Sequence, residues 1–374
     1  MEAINFSSKP GEKTFQYVEM VEYPHGNIER MPLAIIEGTE KGPTFIISAN
    51  IHGDELNGLV ALQEIIQELD PKEVKGKIIV ILSLNPAGLL LLRRKPFYHD
   101  ADPNRIWPDP LPKKEPQLVY DDPYDKLLDP KNFPQVQELF YQKLAKVIST
   151  ADYYIDLHTH DFRSIPFTYV DRVYYDPKKA RAAEEARELF DKTLELAKEF
   201  GLTIVLENPP RHYFRLNLQR STTGSFLNLN RKPAFTVELG PYAYIDRKCI
   251  NAAKIGIYNV LSSTGIINRE IKEIKEVSVL SEKLWREIPI RASTTGIFVP
   301  LVEPGVIVEK DEAIIEVRSI FGETKEVIRA PERGAVLAFW GDIRCYKNSE
   351  VATFLVENNL DFIFPWEYTK KEKE

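Results

Sequence analysis

The sequence predicts an α/β protein, with a mixed, largely parallel sheet flanked by helices and a small C-terminal all-β module. Apolar runs of strand length alternate with longer amphipathic segments, which is typical of a parallel sheet built from strand–helix–strand units. From about residue 286, short β-branched runs separated by Pro-Gly and Lys-Asp turns replace the long helices. The chain has 374 residues, more than one core usually supports, so we expect two domains, residues 1–285 and 286–374.

Periodicity identifies the elements of the first domain. Residues 44–49 form a continuous apolar run, whereas apolar residues recur every three or four positions over 55–69, which predicts a strand followed by a helix. The next strand, 77–84, ends at Asn85-Pro86, and this order favours a right-handed crossover. The other predicted strands are 152–157 and 234–239, and the other predicted helices are 136–148, 178–200 and 251–261.

Two further segments differ from this pattern. Residues 107–134 carry many prolines and acidic residues, so we interpret them as a long surface excursion, either a functional lid or an insertion. The β-rich residues 286–345 resemble a barrel-sandwich hybrid of the biotinyl or lipoyl type, which raises a carrier hypothesis. Carriers present a modified lysine at a turn where this chain has Phe321-Gly322, so a structural or gating module is preferred. We expect the charged residues 370–374 to be a frayed terminus.

Composition excludes several classes of function. The formal net charge of −7 offers no basic field for phosphate backbones, so we expect no nucleic-acid partner. The two cysteines lack the spacing of a thiolate metal site or a disulfide framework, which fits a reducing compartment. Neither a signal peptide nor a membrane span is visible, so the sequence predicts a cytoplasmic protein without a membrane partner.

Histidines at the ends of predicted strands suggest a metal site. His52 and Glu55 lie three residues apart where the first strand turns into a helix, and His158 closes a separate strand. The carboxyl ends of strands are where α/β sheets build their ligand crevices. Two histidines and one carboxylate with an open position form the ligand set of a catalytic zinc. The alternative is that hydrogen bonds at the strand ends satisfy these histidines.

A glutamate inside an apolar strand needs a separate explanation. Glu238 stands in Thr-Val-Glu-Leu-Gly, and burying a carboxylate is costly unless it is paired or functional. It is a candidate for the base that a metal-assisted hydrolysis requires, and a salt bridge to a basic neighbour is the alternative. Asp54, between His52 and Glu55, could serve as an acid, but a role in orienting the ligands is preferred.

Five short motifs occur in an order that resembles the succinylglutamate desuccinylase and aspartoacylase family, a branch of the zinc carboxypeptidase superfamily. They are HGDE at 52–55, NP at 85–86, D-x-N-R at 102–105, DLHT at 156–159 and VELG at 237–240. Five ordered matches over nearly 200 residues are far more specific than any one of them. The family also carries a C-terminal β-rich module, so the resemblance spans most of the chain and implies a zinc-carboxypeptidase-like fold.

The resemblance also implies roles for individual residues. His52, Glu55 and His158 would bind one zinc ion, and Glu238 would activate the attacking water. Asn104 and Arg105 would bind a carboxylate of the substrate, a role that suits the planar fork of an arginine. Arg94 matches the arginine thought to polarise the scissile carbonyl, although Arg93 beside it is an alternative. The family usually has leucine where this chain has Pro103.

These observations lead to three hypotheses of function. The first is a zinc-dependent hydrolase that cleaves the amide bond of a small N-acyl amino acid or a related amidated compound, a deacylase with a carboxylate-bearing small-molecule substrate. The second is a zinc carboxypeptidase acting on peptide C-termini. The third is a non-catalytic binding or carrier protein on the same fold. A homo-oligomer is compatible with each of them.

Overall fold

The computed structural model describes residues 4, 6–110, 136–281, 283–341 and 343–366. Its helices are α1 (Asn57–Glu68), α2 (Pro86–Leu91), α3 (Val136–Ile148), α4 (Ala182–Phe200), α5 (Pro210–Arg215), α6 (Thr222–Asn230) and α7 (Arg247–Ser263). Its strands are β1 (Lys13–Glu22), β2 (Ile28–Glu37), β3 (Glu40–Ala49), β4 (Lys75–Ile81), β5 (Tyr153–His160), β6 (Arg163–Ser164), β7 (Phe167–Val170), β8 (Val173–Tyr175), β9 (Thr203–Leu206), β10 (Ala234–Pro241), β11 (Trp285–Arg291), β12 (Gly296–Pro300), β13 (Ile307–Val308), β14 (Ala313–Arg318), β15 (Thr324–Arg329), β16 (Gly334–Phe339), β17 (Arg344–Cys345), β18 (Glu350–Glu357) and β19 (Ile363–Pro365).

A large mixed sheet organises the molecule, in the order β1-β2-β4-β3-β5-β10-β7-β9-β11-β18-β16-β13. Strands β4, β3, β5 and β10 run parallel to one another. Strand β7 runs antiparallel to β10, and β9 and β11 are then parallel to β7 and to each other. The predicted fold class, a mixed and largely parallel sheet with helices, is therefore confirmed.

The sequence analysis did not predict the antiparallel strands β1 and β2 at one edge of the sheet. They pair with each other, and β2 pairs with β4. Strand β1 alternates exposed and buried residues because it forms the outer edge of the sheet, and Phe15 and Tyr17 point into solvent. Such a half-exposed strand lacks the continuous apolar run that marks the buried strands.

The helices cover both faces of the sheet. Gly58 of α1 packs against Leu157 of β5, and α7 packs against α1 and α4. On the opposite face, Thr222 at the start of α6 donates a hydrogen bond to Asp156 of β5. Because neighbouring side chains on a strand point to opposite faces, Leu157 faces the core under α1 whereas Asp156 and His158 face α6.

Three predicted helices differ in their boundaries. Helix α7 begins four residues earlier and ends two residues later than predicted. Residues 50–56 form a loop, and α1 begins only at Asn57, because Asn50 adopts a left-handed backbone (φ 57°) and its side-chain amide donates to the carbonyls of His52 and Glu55, both at 3.0 Å. Helix α4 begins four residues later than predicted and ends at Phe200. Gly201 follows it with φ 93°, the left-handed conformation expected after a helix.

The C-terminal strands form the predicted antiparallel β module. A second sheet, β15-β14-β12-β17, shares an apolar core with the β11-β18-β16 end of the large sheet, through Phe298, Val317, Val336 and Phe354 among others. Strand β11 pairs with both β9 and β18, so the predicted boundary at residue 285 falls at the first residue of a strand that joins both parts. The division into two domains stays a prediction.

Residues 111–134 of the predicted surface excursion and the predicted frayed terminus 370–374 lie outside the described residues. Within the described ranges, no helix combines the length and the apolar character needed to cross a membrane.

Candidate metal centre and its cavity

A tight loop after β3 positions His52 and Glu55. At Gly53 the chain packs against α2, which follows β4, since a Cβ atom there would lie 1.9 Å from the carbonyl carbon of Gly88. The Gly53 N–H donates to the carbonyl of Arg93 at 3.1 Å. This close approach explains why a glycine stands between the two functional side chains, and it fixes their loop against its neighbour.

His52, Glu55 and His158 come together in a buried cluster. One ligand atom from each lies within 4.8 Å of the other two. The Nδ1 atom of His52 is 2.6 Å from Oε1 of Glu55, and the Nδ1 atom of His158 is 2.9 Å from Oε2 of Glu55. The three residues are 2–4% exposed. The sequence prediction that these three side chains meet is thus matched by the geometry, and together they could hold a metal ion.

Two aspartates orient the histidines. The Nε2 atom of His52 lies 3.0 Å from Oδ1 of Asp102, and Nε2 of His158 lies 2.9 Å from Oδ2 of Asp156. An Nε2–H that donates to a carboxylate leaves the lone pair of Nδ1 free, so both Nδ1 atoms can act as ligands. Asp54 does not fill the orienting role that the sequence suggested, because Asp102 and Asp156 hold the histidines.

Hydrogen bonds in turn fix both aspartates. Asp156 is fully buried and accepts from the hydroxyls of Ser48 (2.6 Å) and Thr222 (2.5 Å). Asp102 accepts from Nη2 of Arg94 at 2.9 Å. Burial alone would raise the pKa of Asp102, but His52 and Arg94 hold that pKa well below its usual range. Asp102 therefore stays an acceptor for the imidazole of His52.

Glu238 lies beside the cluster with an unused carboxylate oxygen. It stands opposite His158 in the parallel register of β10 and β5 and is 9% exposed. Its Oε2 atom is buried and has no hydrogen-bond partner among the described residues. Burial raises the pKa of Glu238 to about 8, and the charge of His158 counteracts this rise. The salt bridge offered as the alternative is absent among the described residues.

Arg94, rather than Arg93, lines the cavity next to the cluster. Its Nε and Nη2 atoms donate to Asp102, and Nη1 lies 3.5 Å from Oε1 of Glu55. Its side chain is 47% exposed, so one side of the guanidinium remains open to the cavity. The neighbouring Arg93 is an exposed residue whose backbone carbonyl holds Gly53.

Asn104 and Arg105 also line the cavity, on a short 3₁₀ helix at Pro103–Arg105. Asp102 caps this helix by accepting from the Asn104 N–H at 2.9 Å, and Pro103 occupies the first helical position, where no N–H is needed. The proline that departs from the family pattern therefore fits the turn. The Thr222 N–H donates to Oδ1 of Asn104 at 2.8 Å, which leaves the amide NH₂ of Asn104 as its donor.

The cavity beside the cluster has a volume of about 990 Å³. Besides the residues above, its wall includes His160, Tyr242 and, from the C-terminal module, Trp340. His160 is the last residue of β5, and burial lowers its pKa to about 4. The Tyr242 ring packs on Phe162 at 4.5 Å between centroids. Part of the module thus contributes directly to the cavity.

Sequence reasoning missed several residues of this site. Asp156 could have been found, because it precedes His158 by two positions on a strand and so shares its face. Asp102 begins the D-x-N-R motif, but nothing in the sequence placed it beside His52, 50 positions away, and Trp340 gave no signal at all. The acidic Glu207, which also lines the cavity, gave none either.

Comparison with known proteins identifies the family. A family model of the succinylglutamate desuccinylase/aspartoacylase catalytic domain matches residues 41–264. The chain belongs to this family. An N-alpha-acetyl-L-2,4-diaminobutyric acid deacetylase from Halomonas elongata is 22% identical over 289 residues, which cover 77% of this chain and 73% of the relative.

Solved structures of the succinylglutamate desuccinylase/aspartoacylase family share the fold. A succinylglutamate desuccinylase/aspartoacylase from Rhodobacter sphaeroides superposes with a TM-score of 0.72 at 20% identity, covering 96% of this chain and 99% of that one. A product-bound ectoine utilization protein from Ruegeria pomeroyi superposes with a TM-score of 0.70 at 19% identity, covering 93% and 96%. Both alignments extend beyond the catalytic domain to nearly the full length of each chain.

Proposed function

We propose that this protein is a zinc-dependent deacylase that hydrolyses the amide bond of a small, carboxylate-bearing N-acyl amino acid. The observation that carries the proposal is the convergence of His52, Glu55 and His158 beside an unpaired, buried Glu238 at one end of a large cavity. Membership of a desuccinylase and aspartoacylase family, and a relative named as a deacetylase of an N-acetylated amino acid, favour the same reaction.

The cluster fits a single zinc ion. Two imidazole nitrogens and one carboxylate oxygen, with a position left open towards the cavity, form the ligand set of a catalytic zinc rather than a structural one. Because Asp102 and Asp156 accept from the Nε2 atoms, each Nδ1 atom can offer the lone pair that binding to a metal requires. When bound, zinc would lower the pKa of a water molecule and polarise an amide carbonyl.

Glu238 is the residue that would move the proton. Its free Oε2 would take a proton from the attacking water and pass it to the nitrogen that leaves as an amine. The low-polarity surroundings that raise its pKa also make it a stronger base. No basic side chain forms an ion pair with Glu238 among the described residues, so neither transfer requires breaking one.

Three residues would bind and orient the substrate. Arg94 is held by Asp102 with its remaining face towards the cavity, so it can donate to a carbonyl oxygen beside the cluster. Arg105 and the NH₂ group of Asn104 can bind a carboxylate of the substrate farther along the same wall. Fixing both ends of the substrate aligns its amide bond with Glu238.

The proposal is tested by amine release from a panel of N-acyl amino acids and short peptides. Metal-loaded protein would be assayed with and without a chelator, and the chelator-treated protein would then be reconstituted with zinc. We expect chelator-sensitive cleavage of N-acyl amino acids that zinc restores. Cleavage restricted to peptide C-termini would favour a carboxypeptidase, and binding of metal without hydrolysis of any compound would contradict the proposal.

A further inference from the structure

The wall of the cavity away from the metal cluster is acidic. Glu207 follows β9, lines the cavity and is only 9% exposed. The carboxyl groups of Asp171 and Glu287 lie near it, since the charge of Glu207 contributes to the raised pKa of both. Arg94 and Arg105 lie elsewhere on the same cavity. The cavity therefore presents both a cationic and an anionic region.

Glu207 differs from its acidic neighbours in its hydrogen bonds. The hydroxyls of Tyr213 and Thr223 donate to the two oxygens of Asp171, at 2.8 Å and 2.7 Å. The Tyr169 hydroxyl donates to Glu287. Hydrogen bonds within the protein thus compensate for the burial of the Asp171 and Glu287 carboxyl groups. Neither residue lines the cavity.

Only Asn208, the next residue in the chain, contacts Glu207 through hydrogen bonds to its carboxylate. Its N–H and its side-chain amide donate to the same oxygen, Oε2, at 3.2 Å and 3.3 Å. The other oxygen, Oε1, accepts no hydrogen bond from the described residues. No arginine or lysine among them lies within 4.0 Å of the carboxylate, although Arg105 and Arg172 are near enough to counteract the rise in its pKa that burial causes.

Burying most of a carboxylate with few hydrogen-bond donors is costly, and a cationic ligand would offset that cost. Glu207 faces an open cavity, so a ligand can reach Oε1 without a change in the fold. A hydrogen-bonded ammonium group supplies both the charge and the donor that Oε1 lacks. A ligand that placed a carboxylate or an apolar group beside Glu207 would not offset the cost of burying its carboxylate.

We propose that Glu207 binds an ammonium group of the substrate, so that the substrate is a diamino acid acylated on one nitrogen and free on the other. This inference rests on the proposed deacylase function. It extends that function because a carboxylate clamp alone would accept acylated aspartate, glutamate or neutral amino acids equally well.

The sheet sets the separation between the ammonium group and the reacting amide. Strands β10, β7 and β9 are consecutive neighbours, so Glu207 after β9 lies two strand spacings, roughly 10 Å, from the strand of Glu238. The substrate must therefore be long enough for its ammonium group to be remote from the scissile bond. Ornithine and lysine derivatives meet this requirement.

The test compares compounds that differ only in the ammonium group. Nα-acetylornithine is matched with Nα-acetylnorleucine, and Nδ-acetylornithine with 5-acetamidopentanoate, on the metal-loaded full chain. We expect kcat/KM to be about 10- to 100-fold higher for the ammonium-bearing member of at least one pair, the range of a hydrogen bond to a buried charge. The pair that shows the preference identifies which nitrogen is acylated.

Variants of the chain then test the role of Glu207. Glu207→Gln should raise KM for the ammonium-bearing compound until the preference falls to about threefold or less, with kcat for the neutral partner unchanged within about twofold. Glu207→Asp, which keeps the charge, should restore part of the preference. Asp171→Asn is the control, because it changes a nearby carboxyl group that is already hydrogen-bonded to Tyr213 and Thr223. This variant should keep the preference for the ammonium-bearing compound.

A binding measurement separates this inference from the proposed function. Calorimetry of ornithine and of norleucine with wild-type protein and Glu207→Gln requires no hydrolysis. Glu207-dependent binding of ornithine without hydrolysis of any compound would contradict the deacylase function but support the ammonium site. Equal affinity for ornithine and norleucine in the wild type, or an equal loss for both compounds in Glu207→Gln, would overturn the ammonium site.

Discussion

Asp156 accepts a hydrogen bond from Nε2 of His158 at 2.9 Å, from a position two residues earlier on the same strand. The aspartate is fully buried and is held by two hydroxyls, so it cannot turn away from the imidazole. Asp102 forms the corresponding bond to His52 from a distant loop. The orientation of both candidate ligands therefore depends on carboxylates that do not themselves contact the metal position.

Replacing these aspartates should weaken metal binding. In Asp156→Asn or Asp102→Asn, the carboxylate that fixes Nδ1 as the unprotonated nitrogen is lost, so we expect zinc affinity to fall about 10- to 100-fold. Competition with a chromophoric chelator would measure it. Asp54→Asn is the matched control, because Asp54 also lines the cavity but holds neither histidine, and its zinc affinity should stay within about threefold. Equal losses in all three variants would contradict the orienting role.

Glu238→Gln should abolish turnover while retaining the metal. Glutamine keeps the shape of the side chain but cannot accept a proton from water, so kcat should fall at least about 100-fold. Metal content, measured by atomic emission, should remain one ion per chain. Glu303→Gln, an exposed glutamate paired with Arg163, makes the same chemical change elsewhere and should retain full activity. A fully active, metal-loaded Glu238→Gln protein would show that another group is the base.

Arg105 and Arg94 should affect different kinetic constants. Arg105→Ala removes the proposed carboxylate clamp, so we expect KM for an N-acyl amino acid to rise about 10- to 100-fold with a smaller change in kcat. Arg94→Ala removes the donor beside the cluster and should mainly lower kcat. A substrate whose carboxylate is replaced by a carboxamide is the control, because it should be insensitive to Arg105→Ala. Identical effects on both substrates would exclude a carboxylate clamp at Arg105.

The free energy of unfolding should decrease as the pH rises from mildly acidic to mildly alkaline, partly because of Glu287. Burial raises the pKa of Glu287 to about 8, so between pH 5 and 8 the folded state binds a proton that the unfolded state has released. Stability from this group is therefore present at low pH and is lost as the pH rises through about 8. Glu287→Gln should flatten the dependence, and at pH 9 it should gain about 4 kcal/mol relative to wild type compared with pH 5.

Urea denaturation at pH 5, 7 and 9 would measure this effect. Glu303→Gln again serves as the control, because an exposed carboxylate should leave the pH dependence unchanged. If the free energy of unfolding of Glu287→Gln changes with pH as it does in the wild type, Glu287 is ionised in the folded protein throughout this range.

Metal binding should stabilise the folded chain. The cluster exists only when β3 and β5 are paired, so zinc binds the folded state and adds about 2.7 kcal/mol at 100 times its dissociation constant. We expect the melting temperature to fall on chelation and recover with zinc. His52→Ala should lose this response. If that variant responds to zinc as the wild type does, the ion binds at another site.

The sequence determined the identity of the elements and much of the site. Apolar runs of strand length located β3, β4, β5 and β10 to within a few residues, because these strands are buried on both faces. The helix Val136–Ile148 was predicted with its observed bounds. His52, Glu55, His158 and Glu238 could be selected because each lies at or near the end of such a strand, where polar side chains need a reason to be present.

Only the tertiary structure decided which residues support that site. Asp102 reaches His52 across 50 positions, and Trp340 enters the cavity from the C-terminal module, because the pairing of β11 with β9 brings that module beside the catalytic strands. The position of Glu207, with one carboxylate oxygen that accepts no hydrogen bond from the described residues, is likewise visible only in three dimensions. Local periodicity reports which face of an element is buried, but distant contacts depend on how the elements pack, and no pattern along the chain encodes that packing.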